Sequence, residues 1–261
     1  MPESGVQITV LGSGTSTGVP MIGCRCEVCT SQDPRDQRLR PSVLLSYGGR
    51  NVLIDTTPDF RAQALRTGID RLDAILFTHE HADHIMGLDD VRPFNFRQKS
   101  SIPIYASERT MAAIHRCFLY IFDGAEKASS VPLLESRTFN GGSFDLFGVE
   151  VTPIPLLHGK TVVYGFRFEK GAYLTDHSEI PEASMEQLGG LDVLFLDALR
   201  YKPHPTHSTV ERSIATAERL APKRVFFTHI CHDLPHARTE EQLPPHIRLA
   251  YDGLQIDVEA A

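Results

Sequence analysis

The chain has 261 residues, a formal net charge of −7 and 41% hydrophobic residues. That is enough to bury a sizeable core, and it argues against a disordered chain or a basic, duplex-gripping one. Its longest apolar runs, such as residues 74–77 and 193–196, fall far short of the roughly 20 residues a bilayer helix needs.

Residues 1–7 lack the basic start and apolar core of a secretory signal. A cytoplasmic protein with no membrane partner is therefore expected. The acidic balance disfavours a large nucleic-acid partner and favours a small substrate held at a metal site. Of five cysteines, three crowd into residues 24–29, which in a reducing compartment points to metal rather than disulfides.

In chain order, residues 6–11 read as a strand running into Gly12-Ser13-Gly14. Next, Gly23-Cys24-Arg25-Cys26-Glu27-Val28-Cys29 sets three thiols at C-x-C-x-x-C spacing. A tight loop over 23–30 can turn three sulfurs toward one tetrahedral zinc, which needs a fourth ligand. His232 and Cys231 are the candidates, and three free thiols in a buried loop is the plainer alternative. Arg35, Arg38 and Arg40 form a small basic patch, able to hold a substrate phosphate or simply part of a solvated loop.

Residues 43–47 and 51–55 are apolar strands flanking Gly48-Gly49, a hairpin signal. Thr57 then serves as the expected N-cap of a helix with Pro58 at its first position. Residues 74–78 form a short buried strand that delivers Thr78-His79-Glu80-His81-Ala82-Asp83-His84. Residues 102–106 read as another strand, and Ser107 caps a helix over 108–117.

In the second half, residues 148–153, 162–168, 172–175 and 193–196 are strand candidates. Ser208-Thr209-Val210-Glu211 reads as a capping box, with Ser208 and Glu211 satisfying free N–H groups reciprocally. Val210, Ile214, Ala217 and Leu220 share one face of the helix behind it. Residues 224–228 form the last clear buried strand, and residues 254–258 add an edge strand. Meanders with interspersed helices imply packed sheets with helices outside, in one domain over 1–261.

The chemistry concentrates in residues 79–84. Three imidazoles and a carboxylate follow a buried strand, where a rigid scaffold holds a loop in place. His79 and His81, two apart, point the same way on an extended backbone. Asp83 and His84 lie just beyond and can serve a second ion. Imidazole and carboxylate together suit Zn, Fe or Mn.

This segment resembles the His-x-His-x-Asp-His signature of the metallo-β-lactamase superfamily. Asp55 resembles the aspartate that supports the metal loop from behind. His158, Asp176 and His229 resemble the remaining ligands, in family order across nearly the whole chain. The resemblance implies an αβ/βα sandwich of two mixed β-sheets packed face to face. It implies one ion on His79, His81, His158 and Asp176, and a second on Asp83, His84, Asp176 and His229. A bridging aspartate, rather than cysteine, implies phosphate hydrolysis over lactam cleavage.

The Gly-Val-Pro and Gly-Cys-x-Cys-x-x-Cys segments are similar to the PhnP subgroup, whose members are phosphoribosyl cyclic phosphodiesterases. There three such cysteines and a histidine matching His232 hold a structural zinc. The resemblance implies a dinuclear phosphodiesterase acting on a small cyclic or nucleotide-like substrate, with ribose 1,2-cyclic phosphate leading. It carries two catalytic Mn or Zn ions and one structural Zn, with Asp83 orienting the attacking water.

His207 is the candidate acid for the leaving oxygen, placed 22 residues before His229 as in that subgroup. A helix N-terminus opposes a positive imidazolium there, which the substrate phosphate would have to offset. His177 and His115 read as bystanders, and His204, His236 and His246 as histidines without a partner.

Two alternatives remain. His207-Ser208-Thr209 also resembles a motif of ribonuclease Z, which processes tRNA 3′ ends, but no basic arm is inserted and the cysteine loop is foreign to that branch. A non-catalytic metal-binding interaction protein is the third reading, set against a complete ligand set. A homodimer is the default assembly.

Overall fold

The structure is a computed structural model that describes residues 5–125 and 130–260. The first half runs β1 (Val6–Gly12), β2 (Ser42–Tyr47), β3 (Arg50–Ile54), α1 (Phe60–Thr67), β4 (Ala74–Leu76), α2 (Ala82–Ile85), α3 (Arg92–Gln98), β5 (Ile102–Ala106), α4 (Glu108–Cys117), α5 (Leu119–Phe122) and β6 (Leu134–Thr138). The second runs β7 (Phe144–Leu146), β8 (Val149–His158), β9 (Thr161–Phe168), β10 (Gly171–Leu174), α6 (Glu182–Met185), β11 (Val193–Asp197), α7 (Val210–Leu220), β12 (Arg224–Thr228), α8 (His236–Glu240), β13 (Ile247–Leu249) and β14 (Gln255–Val258).

The strands form two sheets of seven, in orders β14-β1-β2-β3-β4-β5-β6 and β13-β12-β11-β10-β9-β8-β7. Each is mixed. β3 to β6 run parallel, as do β10 to β13, while the other neighbours are antiparallel. Strand alternation sorts the core into layers. Ile8, Val43, Leu45, Val52, Phe166 and Phe195 face inward and join the sheets. Their sequence neighbours Leu44 and Leu53 point outward and pack with Ile75, Phe60 and Ile114 under the helices of the first half. Leu156, Leu174, Leu196 and Phe227 do the same beneath α7, where Val210 and Ala217 are buried. This is the expected αβ/βα sandwich.

The Gly48-Gly49 turn has φ of +53° and +72°, the left-handed backbone that a two-residue hairpin of this twist requires. Two caps differ from expectation. Thr57 does not cap a helix beginning at Pro58; its Oγ1 accepts from Asp59 N at 3.1 Å, and α1 begins at Phe60. A local hydroxyl turn competes with helix here. At α7 the cap is Thr209, accepting from Arg212 N at 3.3 Å, so there is no Ser208–Glu211 box. Ser208 Oγ instead accepts from Ser213 Oγ at 2.7 Å inside the core.

β8 extends beyond the expected stop at Pro153, reaching His158. Its partner β7 covers only residues 149–151, and the next backbone pairing on that side is the Leu157–Glu179 bridge, so prolines 153 and 155 between them cost no ladder bond. Among the described residues, no helix is long and apolar enough to cross a membrane.

Candidate metal centre

β3, β4, β8, β10, β11 and β12 all deliver their C-terminal ends to one edge of the sandwich. Asp55 follows β3 directly, His158 closes β8, Asp197 closes β11, and His229 follows β12 directly. Asp55, Asp176 and His229 hold φ of +65°, +53° and +58°. Left-handed backbone at a residue other than glycine costs on the order of 1–3 kcal/mol, and it concentrates at functional sites. Here it turns Asp176 and His229 off the strand ends into the site, and Asp55 against the loop that backs it.

Asp55 works from behind the site. Its carboxylate accepts from Thr78 N at 2.9 Å, Thr78 Oγ1 at 2.7 Å and His84 Nδ1 at 2.7 Å. That fixes the tautomer of His84 and leaves its Nε2 facing forward. α2 is pinned to the same loop. Gly87 N donates to Thr56 O at 2.9 Å, and a Cβ on Gly87 would stand 2.0 Å from Thr57 O, so only glycine fits.

The seven expected ligands come together in two adjacent sets. In the first, His79 Nε2 lies 3.0 Å from His81 Nδ1, and both rings approach His158, at 5.6 and 5.1 Å between centroids. His158 Nδ1 donates to Thr206 O at 2.8 Å, leaving Nε2 available. In the second, His84 Nε2 lies 3.3 Å from both Asp83 Oδ2 and Asp176 Oδ1. His229 Nε2 lies 3.2 Å from Asp176 Oδ2 and 3.9 Å from Asp83 Oδ2. The Asp176 carboxylate also stands 3.9 Å from His79 Nε2, so it borders both sets.

The residues fit a pair of divalent ions. Donor atoms around a tetrahedral ion of zinc's size stand about 3.3 Å apart, which these separations match. Asp83 Oδ2, His84 Nε2 and His229 Nε2 are buried without a hydrogen-bond partner, an expensive state unless a cation serves them. The carboxylates and imidazoles are also strongly coupled. Burial alone pushes Asp83 and Asp176 up, but the neighbouring histidine charges outweigh it and hold both below the usual carboxylate range. Burial lowers His84 and His229, yet the carboxylates raise both on balance.

His207 stands beside this centre. Its ring lies 4.7 Å from that of His158 and 4.5 Å from that of His229. Its Nδ1 is 2.8 Å from Asp197 Oδ2, whose carboxyl is fully buried and also accepts from His177 N at 3.2 Å. Asp197 is the residue that sequence reading missed: a single aspartate closing an apolar strand carries no spacing signal. It holds the His207 ring by Nδ1.

Cys24, Cys26 and Cys29 place their sulfurs 3.3, 3.3 and 3.6 Å from His232 Nδ1. Edges of about 3.5 Å suit a closed zinc site of three thiolates and one imidazole. Cys231 is buried apart from this group, with its sulfur accepting from Asp233 N. The arginines at 35–40 do not form a free basic patch. Arg35 pairs with Asp33 and Arg40 with Asp59, while Arg38 is fully buried, donating to Cys231 O, Leu234 O and Asp36. His115 bonds Ser136 and stacks on Phe122. A cavity of about 750 Å³ lies at the far end, around Tyr47, Gly48 and Arg50, and includes none of the site residues.

A two-sheet sandwich with paired His/Asp donor sets at one edge defines a metallo-hydrolase fold. Residues 50–230 match the family model described as a beta-lactamase superfamily domain. A solved diphosphatase of the PhnP family is 54% identical, with a TM-score of 0.93 and 98% of each chain covered. The chain belongs to this superfamily and, within it, to the PhnP family.

Among curated proteins, an octanoyltransferase of Porphyromonas gingivalis is 39% identical over 96% of this chain and 51% of its own length. A ribonuclease Z of Bradyrhizobium diazoefficiens is 30% identical over 53% of this chain and 47% of its own. The chain thus spans about half the length of these two curated relatives. The superfamily implies divalent metal ions at the site and hydrolase chemistry.

Proposed function

We propose that the protein hydrolyses a P–O bond at a phosphorus two of whose oxygens are ester or anhydride oxygens, in a small molecule. The phosphodiester form of this reading has 5-phosphoribosyl 1,2-cyclic phosphate as its leading example. The diphosphate form is supported by the name of the 54% identical neighbour. The observation that supports the reading is the place of Asp176, within one donor set and 3.9 Å from His79 of the other, with the His207–Asp197 pair alongside.

Manganese or zinc ions held by His79, His81, His158, Asp83, His84, Asp176 and His229 would supply Lewis acidity and neutralise phosphoryl charge. The protein supplies the rest. Asp83 orients the attacking water. That water adds to phosphorus and yields a proton to solvent, while the bond to the leaving oxygen breaks. His207 gives the leaving oxygen a proton. Asp197 holds His207 by Nδ1, keeps Nε2 as the working atom and stabilises the imidazolium. Cys24, Cys26, Cys29 and His232 would hold a structural zinc, which would tie the N-terminal loop to the segment that carries His229.

The test is turnover by protein loaded with Mn²⁺ or Zn²⁺. The substrates are bis(p-nitrophenyl) phosphate, a cyclic ribose phosphate, a nucleoside diphosphate ester and precursor tRNA. Metal-dependent cleavage of at least one of the small substrates is expected. Cleavage of precursor tRNA alone transfers the protein to the ribonuclease reading, and no cleavage of any removes the proposal.

A further inference from the structure

The loop 202–207 is built more rigidly than a surface loop needs to be. Prolines 203 and 205 flank His204. Arg200 donates from Nε to Lys202 O at 3.2 Å and from Nη2 to Pro203 O at 3.3 Å. The loop is closed by the bridge between Arg200 and Thr209, with Val210 N donating to Arg200 O at 3.1 Å. Thr206 O receives the Nδ1–H of His158 at 2.8 Å, anchoring the loop to the metal centre.

Within it, Thr206 N donates to His204 Nδ1 at 3.4 Å, and Thr206 Oγ1 lies 3.2 Å from the same atom. A backbone N–H can only donate, so Nδ1 is the acceptor and the ring proton sits on Nε2. The His204 ring is half-buried and lies 5.0 Å from the ring of His207. Among the described residues no group is hydrogen-bonded to its Nε2. A half-buried imidazole with a locked tautomer and an unengaged N–H, on a doubly anchored loop beside the proton donor, is preorganised to hold a ligand.

We propose that His204 donates its Nε2–H to an anionic oxygen on the leaving-group side of the substrate, which makes a diphosphate the preferred substrate. This rests on the hydrolase reading above. His207 protonates the leaving oxygen, so whatever that oxygen carries lies next to His204. An N–H donor selects an acceptor, and the positive charge of Arg200, whose guanidinium is held on this loop by Lys202 O and Pro203 O, favours an anionic one. In a diphosphate the expelled group is itself a phosphate, whose non-bridging oxygens are such acceptors. In a simple diester the expelled alkoxide offers none.

The experiment compares His204→Ala and His204→Gln with the wild type, all metal-loaded. The substrates are bis(p-nitrophenyl) phosphate and a nucleoside diphosphate ester. His204→Ala is expected to raise KM for the diphosphate ester about tenfold. It should leave kcat/KM for bis(p-nitrophenyl) phosphate within about twofold, and His204→Gln, which keeps a donor, should recover most of the loss. Equal losses on both substrates would make His204 a mere support for the loop and overturn the proposal, as would no loss on either.

A wild type that cleaves the diester but not the diphosphate ester also overturns it, while leaving the hydrolase reading intact. A readout without turnover keeps the two separate. In the zinc-loaded protein, methylenediphosphonate should shift the Nε2–H resonance of His204 in an imidazole ¹⁵N spectrum and leave Nδ1 unprotonated. A resonance that does not move, or a proton found on Nδ1, defeats the proposal whatever the enzyme cleaves.

Discussion

The two candidate metal-binding constellations are made in opposite ways. The pair at the sandwich edge draws its ligands from residues 79 to 229, four from the segment after β4 and one each from the ends of β8, β10 and β12, with His84 braced by Asp55 and His158 by Thr206. The cysteine set is local. Three sulfurs come from one loop of short 3₁₀ turns with few buried apolar neighbours, and one distant residue, His232, completes it. The first site is therefore a product of the fold, whereas the second, with a zinc bound, would supply fold where the core is thin. The contrast predicts that damage to the first shows as lost chemistry and damage to the second as lost stability.

The largest effect should follow Asp176→Ala. Removing the carboxylate that borders both donor sets should lower turnover on the order of a thousandfold or more. Metal analysis should show a fall from about three equivalents to about one, the survivor being the cysteine-site zinc. Retention of all the metal would separate Asp176 from the centre and break the comparison at its root.

Asp197→Asn probes the bracing rather than the ligands. Outer partners of this kind are worth roughly 10–100-fold, and that is the expected fall in kcat, with metal content unchanged. The loss should be greatest on substrates with poor leaving groups, because those depend on the proton from His207. A uniform loss across leaving groups would assign Asp197 to holding His229, whose Nδ1 is 3.8 Å away, instead of His207.

Cys26→Ser tests the other region. It should cost about one zinc and lower the thermal midpoint by about 5–10 °C. Activity of the folded fraction should stay within a few-fold. A collapse of activity with the midpoint unchanged would mean that the loop serves chemistry and not stability.

What could be read from the sequence follows the same division. The 79–84 motif announces itself because ligand residues stand side by side after an apolar strand, and the cysteine spacing is similarly compact. Strands β1, β2, β9, β11 and β12 were legible because both faces are apolar or alternate strictly. β6 was not: Leu134-Glu135-Ser136-Arg137-Thr138 is a largely exposed edge with no apolar period. β7 and β13 are three residues each, too short to show one. Asp197 and His204 were invisible for another reason. Their roles depend on which side chain faces them across the fold, and nothing in local spacing encodes that.

The smallest expected effect concerns pH, and it falls where the cysteine loop meets the body of the protein. Arg38 and Asp36 join that body to residues 231–236, and His236 is 1% exposed beside them. Its Nδ1 has no partner, and Glu240 stands 3.7 Å from its Nε2. Burial pushes its pKa down from 6.5 to about 4, with Glu240 opposing and Arg35 and Arg38 assisting.

The folded value lies below the unfolded one, so the unfolded chain binds the proton first. The stabilising contribution of neutral His236 is thus complete above about pH 6.5 and is lost as pH falls toward about 4, with no further change below. Urea unfolding at pH 7.5 and 5 should show a larger drop for the wild type than for His236→Gln, which cannot titrate. Parallel drops in the two proteins would mean that His236 is already solvated in the native state, and that this end of the molecule is looser than its burial indicates.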